Sequence, residues 1–71
     1  MSPDKLVYMA NQIGRFFAIQ GEDKAVAAIE DHMRKFWDPR MREAMREHFE
    51  SGGAGLHPLV AKAVARLRKI R

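Results

Sequence analysis

Seventy-one residues, a net charge of +4, no cysteine and 46% apolar side chains set narrow bounds. A chain this short makes one domain, 1–71, and buries only about 60% of the surface it exposes when unfolded, so its core is marginal. Without cysteine it has no disulfide and no thiolate metal ligand to staple it, and the lack also fits a reducing compartment. The uncharged run Leu6–Gly14 is nine residues, and no uncharged run approaches the about 20 residues of a membrane span. No segment reads as a signal peptide, so the expectation is a soluble, cytoplasmic protein.

Punctuation divides the chain into four helices, at about 3–20, 23–36, 39–51 and 58–69. Ser2-Pro3-Asp4 is a helix start: Ser as N-cap, Pro at the first helical position, Asp near the positive end of the dipole. Leu6, Met9, Ile13, Phe16 and Phe17 recur at helical spacing, and Gly21 is expected to close this helix as a left-handed cap. Val26, Ile29, Met33 and Phe36 share one face of the second helix. Asp38-Pro39 stops that helix, because the residue before a proline avoids the helical region. The same pair starts the third, with Asp38 as N-cap and Pro39 in the first turn. Met41, Ala44, Met45 and Phe49 carry its apolar stripe. Ser51–Gly55 reads as a loop. His57-Pro58 opens a last helix with Leu59, Val60, Val64, Leu67 and Ile70 on one side, and Lys62, Arg66 and Lys69 on the other. Nothing alternates with period two, so the fold class is all-α, a small bundle of four short helices.

The first helix is unusual. Between Leu6 and Gln20 its one charge is Arg15, and the stripe opposite its apolar face, Val7-Asn11-Gly14-Ala18, is small and uncharged. Gly14 costs about 1 kcal/mol relative to Ala in a helix interior, which close approach by another backbone would explain. Either the other three helices wrap this one, or its second face meets a partner subunit; the second reading makes Asn11 and Gly14 contact residues. Twenty-two large apolar side chains are too many for so small a bundle to hide, and an unhidden patch marks an interaction site. Self-association of the isolated chain is one way to cover it. Met33, Met41 and Met45 read first as core.

Chemistry-bearing motifs are lacking. His32, His48 and His57 lie on three segments with no His-x-x-x-His pair, and Glu43, Glu47 and Glu50 form no Glu-x-x-His. They read as a polar helix face, with Arg46 and Glu50 as an i,i+4 pair. Ser51–Gly55 lacks the ending and the preceding strand of a phosphate-binding loop. No catalytic, cofactor-binding or metal residue is assigned. Charge is uneven: residues 1–33 carry three basic and five acidic side chains, giving −2, while residues 34–71 carry ten and four, giving +6. Arg34, Lys35, Arg40, Arg42 and Arg46 flank the sole tryptophan, Trp37. A nucleic-acid binder would gather them on one face. Here Arg34 and Lys35 end one helix while Arg42 and Arg46 stand on the next.

With these residues in view, the chain resembles the delta subunit of NAD-dependent formate dehydrogenase, the small fourth subunit of the soluble molybdenum- or tungsten-containing enzyme. Three blocks carry the resemblance: LVYMANQIGRFF at 6–17, HMRKFWDPRM at 32–41 and GAGLHPLV at 53–60. It implies a non-catalytic accessory protein that binds the large catalytic subunit and helps hold the complex together. The pterin–metal site, iron–sulfur clusters, flavin and NAD site belong to other subunits, so no cofactor is expected here. On this reading Arg34, Lys35, Arg40, Arg42 and Arg46 meet acidic residues of the partner, while Phe36, Trp37 and Pro39 fill a pocket on it. His57 is given no role. An assembly chaperone that leaves after cofactor insertion is the alternative, and a small basic nucleic-acid-binding module a more distant one.

Overall fold

The computed structural model describes residues 2–69, and side chains as far as Leu67; Ile70 and the side chain of Lys69, both placed above on the last helix, lie outside the described residues. Four helices follow in chain order: α1 Pro3–Ala18, α2 Glu22–Phe36, α3 Pro39–Glu50 and α4 Pro58–Lys69. No strand occurs among the described residues.

The helix starts follow from their caps. Ser2 Oγ accepts the Lys5 N–H at 3.4 Å ahead of Pro3. Asp38 Oδ1 accepts the Met41 N–H at 2.9 Å ahead of Pro39. Each oxygen satisfies a donor that the first helical turn leaves without an intrahelical partner.

The end of α1 differs from expectation. The helix closes at Ala18, two residues early, where the N–H groups of Gln20 and Gly21 turn back to the carbonyls of Phe17 and Ala18 at 2.9 and 3.1 Å. Gly21 has φ 94° and ψ 157°, so it is not a left-handed helical cap; it is the N-cap of α2, its carbonyl accepting the Ala25 N–H at 2.9 Å. Only glycine enters that backbone region without strain. α3 likewise stops one residue early, with Ser51 as its C-cap.

All four helices meet in one core. Leu6 and Ala10 come from α1, Val26, Ile29 and Met33 from α2, Met45 from α3, and Val60, Ala63, Val64 and Leu67 from α4. α2 packs most extensively on α4, and α1 touches each of the other three. Met33 and Met45 are buried as expected, and Met41 lies half-buried against them. The stripe on α1 needs one correction. At about 100° per residue, Phe17 comes round to the same side as Leu6, whereas Phe16 points a quarter-turn away. Phe16 is accordingly 73% exposed.

Among the described residues, one charge enters the core region. Glu30 on α2 is 7% exposed, and its two oxygens take Arg34 at 2.8 Å and Arg66 of α4 at 2.9 Å. Two guanidinium groups on one carboxylate compensate its lost hydration and join α2 to α4.

Candidate interaction surface

The residues expected to meet a partner fall into two groups. Asn11, Gly14, Trp37 and Arg42 have their contacts within the chain. Phe36, Pro39 and Arg40 stand exposed, while Arg34, Lys35 and Arg46 are tied to neighbouring carboxylates.

Asn11 and Gly14 face the other end of the sequence. The Asn11 amide nitrogen donates to the Gly55 carbonyl at 2.9 Å, and its oxygen accepts the His57 N–H at 2.8 Å. Both ends of one amide are thus satisfied by the loop that precedes α4. His57 Nδ1 in turn accepts the Leu59 N–H at 3.1 Å, so this histidine caps the first turn of α4. A Cβ on Gly14 would lie 2.7 Å from Val60 Cγ2 and 3.7 Å from the His57 ring. The close approach that a glycine in mid-helix implied is therefore made by α4, not by another subunit. His48 Nε2 at 2.8 Å from the Ala54 carbonyl pins the same loop from α3. Gly52, Gly53 and Gly55 have positive φ and let it turn.

The Phe36–Arg42 corner is also built inward in part. Trp37 is 4% exposed and belongs to the core, because the chain turns to extended backbone there and swings the indole under the helices. The Trp37 backbone N–H donates to the Met33 carbonyl at 3.1 Å. Arg42 Nη1 donates to the Trp37 carbonyl and approaches those of Met33 at 3.4 Å and Arg34 at 3.3 Å. A guanidinium on the carbonyls at the negative end of α2 adds to its hydrogen bonding and complements its dipole. Arg34 is bound to Glu30, Lys35 to Asp31 at 3.2 Å, and Arg46 to Glu43. Arg40 has no ion pair among the described residues.

What remains open is an aromatic face on the α2 side of α1. Among the described residues, Phe16 at 73%, Phe36 at 72%, Tyr8 at 62% and Ile19 at 91% are the large apolar side chains left exposed. The three aromatic ones are linked through their neighbours: Gln12 Nε2 donates to the Tyr8 hydroxyl at 2.9 Å, and Gln12 lines the same groove as Phe16. Phe16 meets Phe17 edge-on at 5.1 Å between ring centroids, Phe17 meets His32 at 6.3 Å, and His32 meets Phe36 at 4.9 Å. Between them lies an open groove of about 270 Å³ lined by Gln12, Ile13, Phe16, Phe17 and His32. At the roughly 150–250 Å² that a large side chain can bury, the four exposed groups present on the order of 500–600 Å². That is a large share of the about 800 Å² each side contributes to a standard stable interface.

Tyr8, Phe16 and Ile19 were not singled out as contacts by sequence. The signal that could have found them is their spacing of eight and three residues, which puts three large apolar groups on one side of a helix away from Leu6 and Ala10. Glu30 and His57 were missed as well.

Among the described residues, no group of three or more His, Cys, Asp or Glu could hold a metal ion, and no helix is long and apolar enough to cross a membrane. Fold and surface together define a small all-helical protein distinguished by an exposed aromatic face. Comparison with known families gives the more particular answer. The model of the NADH-dependent formate dehydrogenase delta subunit family, FdsD, matches residues 5–64, and the chain belongs to that family. Neither the curated proteins nor the solved structures contain a significant match to it. The matched span includes all three blocks quoted above, and two of them, 6–17 and 53–60, are the segments joined through Asn11 and Gly14.

Proposed function

We propose that the chain is a non-catalytic accessory subunit of cytoplasmic NAD-dependent formate dehydrogenase, which binds the large catalytic subunit and stabilises the complex or assists its assembly. The observation that carries this reading is the set of large apolar side chains Tyr8, Phe16, Ile19 and Phe36, left exposed on so small a bundle. Large apolar patches on small proteins mark association sites, and aromatic side chains with arginine dominate their energetics. Of the contacts expected from sequence, Phe36, Pro39 and Arg40 stay as partner contacts; Arg34, Lys35 and Arg46 border them as charged groups already paired within the chain. Asn11, Gly14, Trp37 and Arg42 act indirectly, by fixing the shape that presents the others.

The mechanism is thermodynamic linkage. A subunit that binds only the folded, assembled enzyme lowers the free energy of that state. Deleting the gene for this chain should reduce the amount of assembled formate dehydrogenase or lower its thermal stability. Full activity, unaltered complex size and an unaltered melting temperature in the deletion strain would sink the reading. Stoichiometric presence of the chain in the purified enzyme separates a resident subunit from a chaperone that departs after cofactor insertion.

A further inference from the structure

We infer that the histidine at the start of α4 is a proton-sensitive catch: a proton taken up by the His57 ring releases the first turn of α4 and loosens the hold of Asn11 on the loop before it. The device belongs to the chain's own fold, and it stands whether or not the chain docks on the catalytic subunit.

The hydrogen bonds fix where each ring carries its proton. A backbone N–H can only donate, so His57 Nδ1, 3.1 Å from the Leu59 nitrogen, holds a lone pair there. The ring is therefore neutral, with its proton on Nε2. A proton on Nδ1 sets donor against donor and puts an imidazolium at the positive end of α4. The ring has little room to turn aside, because α1 backs it so closely that a Cβ on Gly14 would lie 3.7 Å from its Cγ. The backbone N–H of the same residue is the one that Asn11 holds at 2.8 Å, so a shift of His57 pulls on the latch between α1 and the loop. His48 responds in the opposite way. A carbonyl can only accept, so His48 Nε2 donates to Ala54 at 2.8 Å and keeps that bond when its other nitrogen takes a proton.

Among the described residues, His57 has no ion pair that would hold an imidazolium in place. Its neighbours on α1, Asn11 and Gly14, are uncharged, and the charged residue next to them in sequence is the cation Arg15. Residues 51–56 carry no charged side chain. On α4 the first charged residue is Lys62, bound to Glu22 of α2. Glu47 and Glu50 are the carboxylates at the end of α3 that holds His48. Unfolding frees Nδ1 from its duty as acceptor, so acid favours the unfolded form. The stability that this cap contributes is present at neutral pH and is lost as pH falls through the range in which imidazoles titrate.

The test compares the full-length chain with His57→Asn, because asparagine is a good N-cap that accepts the same N–H and does not titrate. Chemical denaturation is followed at about pH 8 and about pH 5, on either side of the imidazole range. Between the two, the folding equilibrium constant of the parent should fall about tenfold more than that of His57→Asn. His48→Asn should keep the parent's pH dependence. Parallel losses in the parent and His57→Asn overturn the inference, because the acid response then belongs to other groups. An NMR titration of the parent gives a second readout that needs no variant. The Leu59 backbone amide and the Asn11 side-chain amide should shift together with the His57 ring, and a His57 ring that stays neutral until the whole chain unfolds shows the same coupling. A Leu59 amide that stays fixed while the His57 ring titrates in the folded chain overturns the inference. None of these outcomes touches the proposed function, which co-purification tests separately.

Discussion

The two flanks of α1 are opposite solutions to one problem. On the α4 side the residues are small, and the helices come so close that a Cβ on Gly14 would sit 2.7 Å from Val60. One asparagine amide closes the remaining gap to the loop with two hydrogen bonds. On the α2 side the residues are large, the rings touch edge to edge, and a groove stays open between them. Small side chains allow backbones to approach and seal a contact; large ones at the rim of a helix pair leave a groove between them and present area outward. The sealed flank gives the bundle its shape, and the open flank gives it a surface.

That contrast can be broken experimentally, beginning where the effect is largest. Trp37→Ala empties a core position and should cost about 3–5 kcal/mol, enough to unfold much of a marginal bundle. Its neighbour Phe36→Ala should leave stability within about 0.5 kcal/mol while weakening partner binding. Thermal melts followed by circular dichroism, together with co-purification, check both. A Trp37→Ala variant that melts like the parent would overturn the core assignment.

On the sealed flank, Gly14→Leu should destabilise by about 3 kcal/mol or more, because overpacking at a site with no slack displaces α4. Partner binding would then fall together with helicity, so this variant cannot serve as a clean probe of binding. Gly14→Ala combined with Val60→Ala should recover part of the stability that Gly14→Ala alone loses; additive losses in chemical denaturation would show that the contact is not the cause.

Asn11→Ala leaves the Gly55 carbonyl and the His57 N–H without their partner and should cost about 1–3 kcal/mol. Hydrogen exchange at His57 and at the first turn of α4 should speed up more than exchange in α2. Asp38→Ala removes the cap of α3 and should cost about 1 kcal/mol by denaturant titration. The smallest effect on stability belongs to the open flank: Phe16→Ala should change the folded free energy by less than about 0.5 kcal/mol. A large loss there would mean that the groove belongs to the core and not to a surface.

Much of this arrangement was legible in the sequence. Ser2, Asp38 and their prolines mark helix starts by local chemistry, which does not depend on the rest of the fold. The loop at 51–55 was legible for the same reason. Gly14 signalled close approach, but its partner Val60 lies 46 residues on, and periodicity says which face of a helix is apolar without saying what covers it. Trp37 shows the same limit. An Asp-Pro corner accounts for the turn, while the direction in which the indole swings depends on extended backbone at position 37 and on room among Ile29, Met33 and Met45. Arg42 looked like one more surface cation because its three carbonyl partners belong to the backbone, which carries no letter of its own. The open face was hidden by counting Phe16 with Phe17: adjacent residues on a helix differ by about 100° in direction, so one went in and the other out.

The asparagine that joins α1 to the loop before α4 has a consequence for the order of events during synthesis. α1 emerges from the ribosome first and α4 last of the four helices. Until residues 55–60 arrive, the Gly14 flank has no cover and the Asn11 amide has neither of its chain partners, so the first helix waits for the last. Contacts of such long sequence separation slow folding and leave early segments exposed meanwhile.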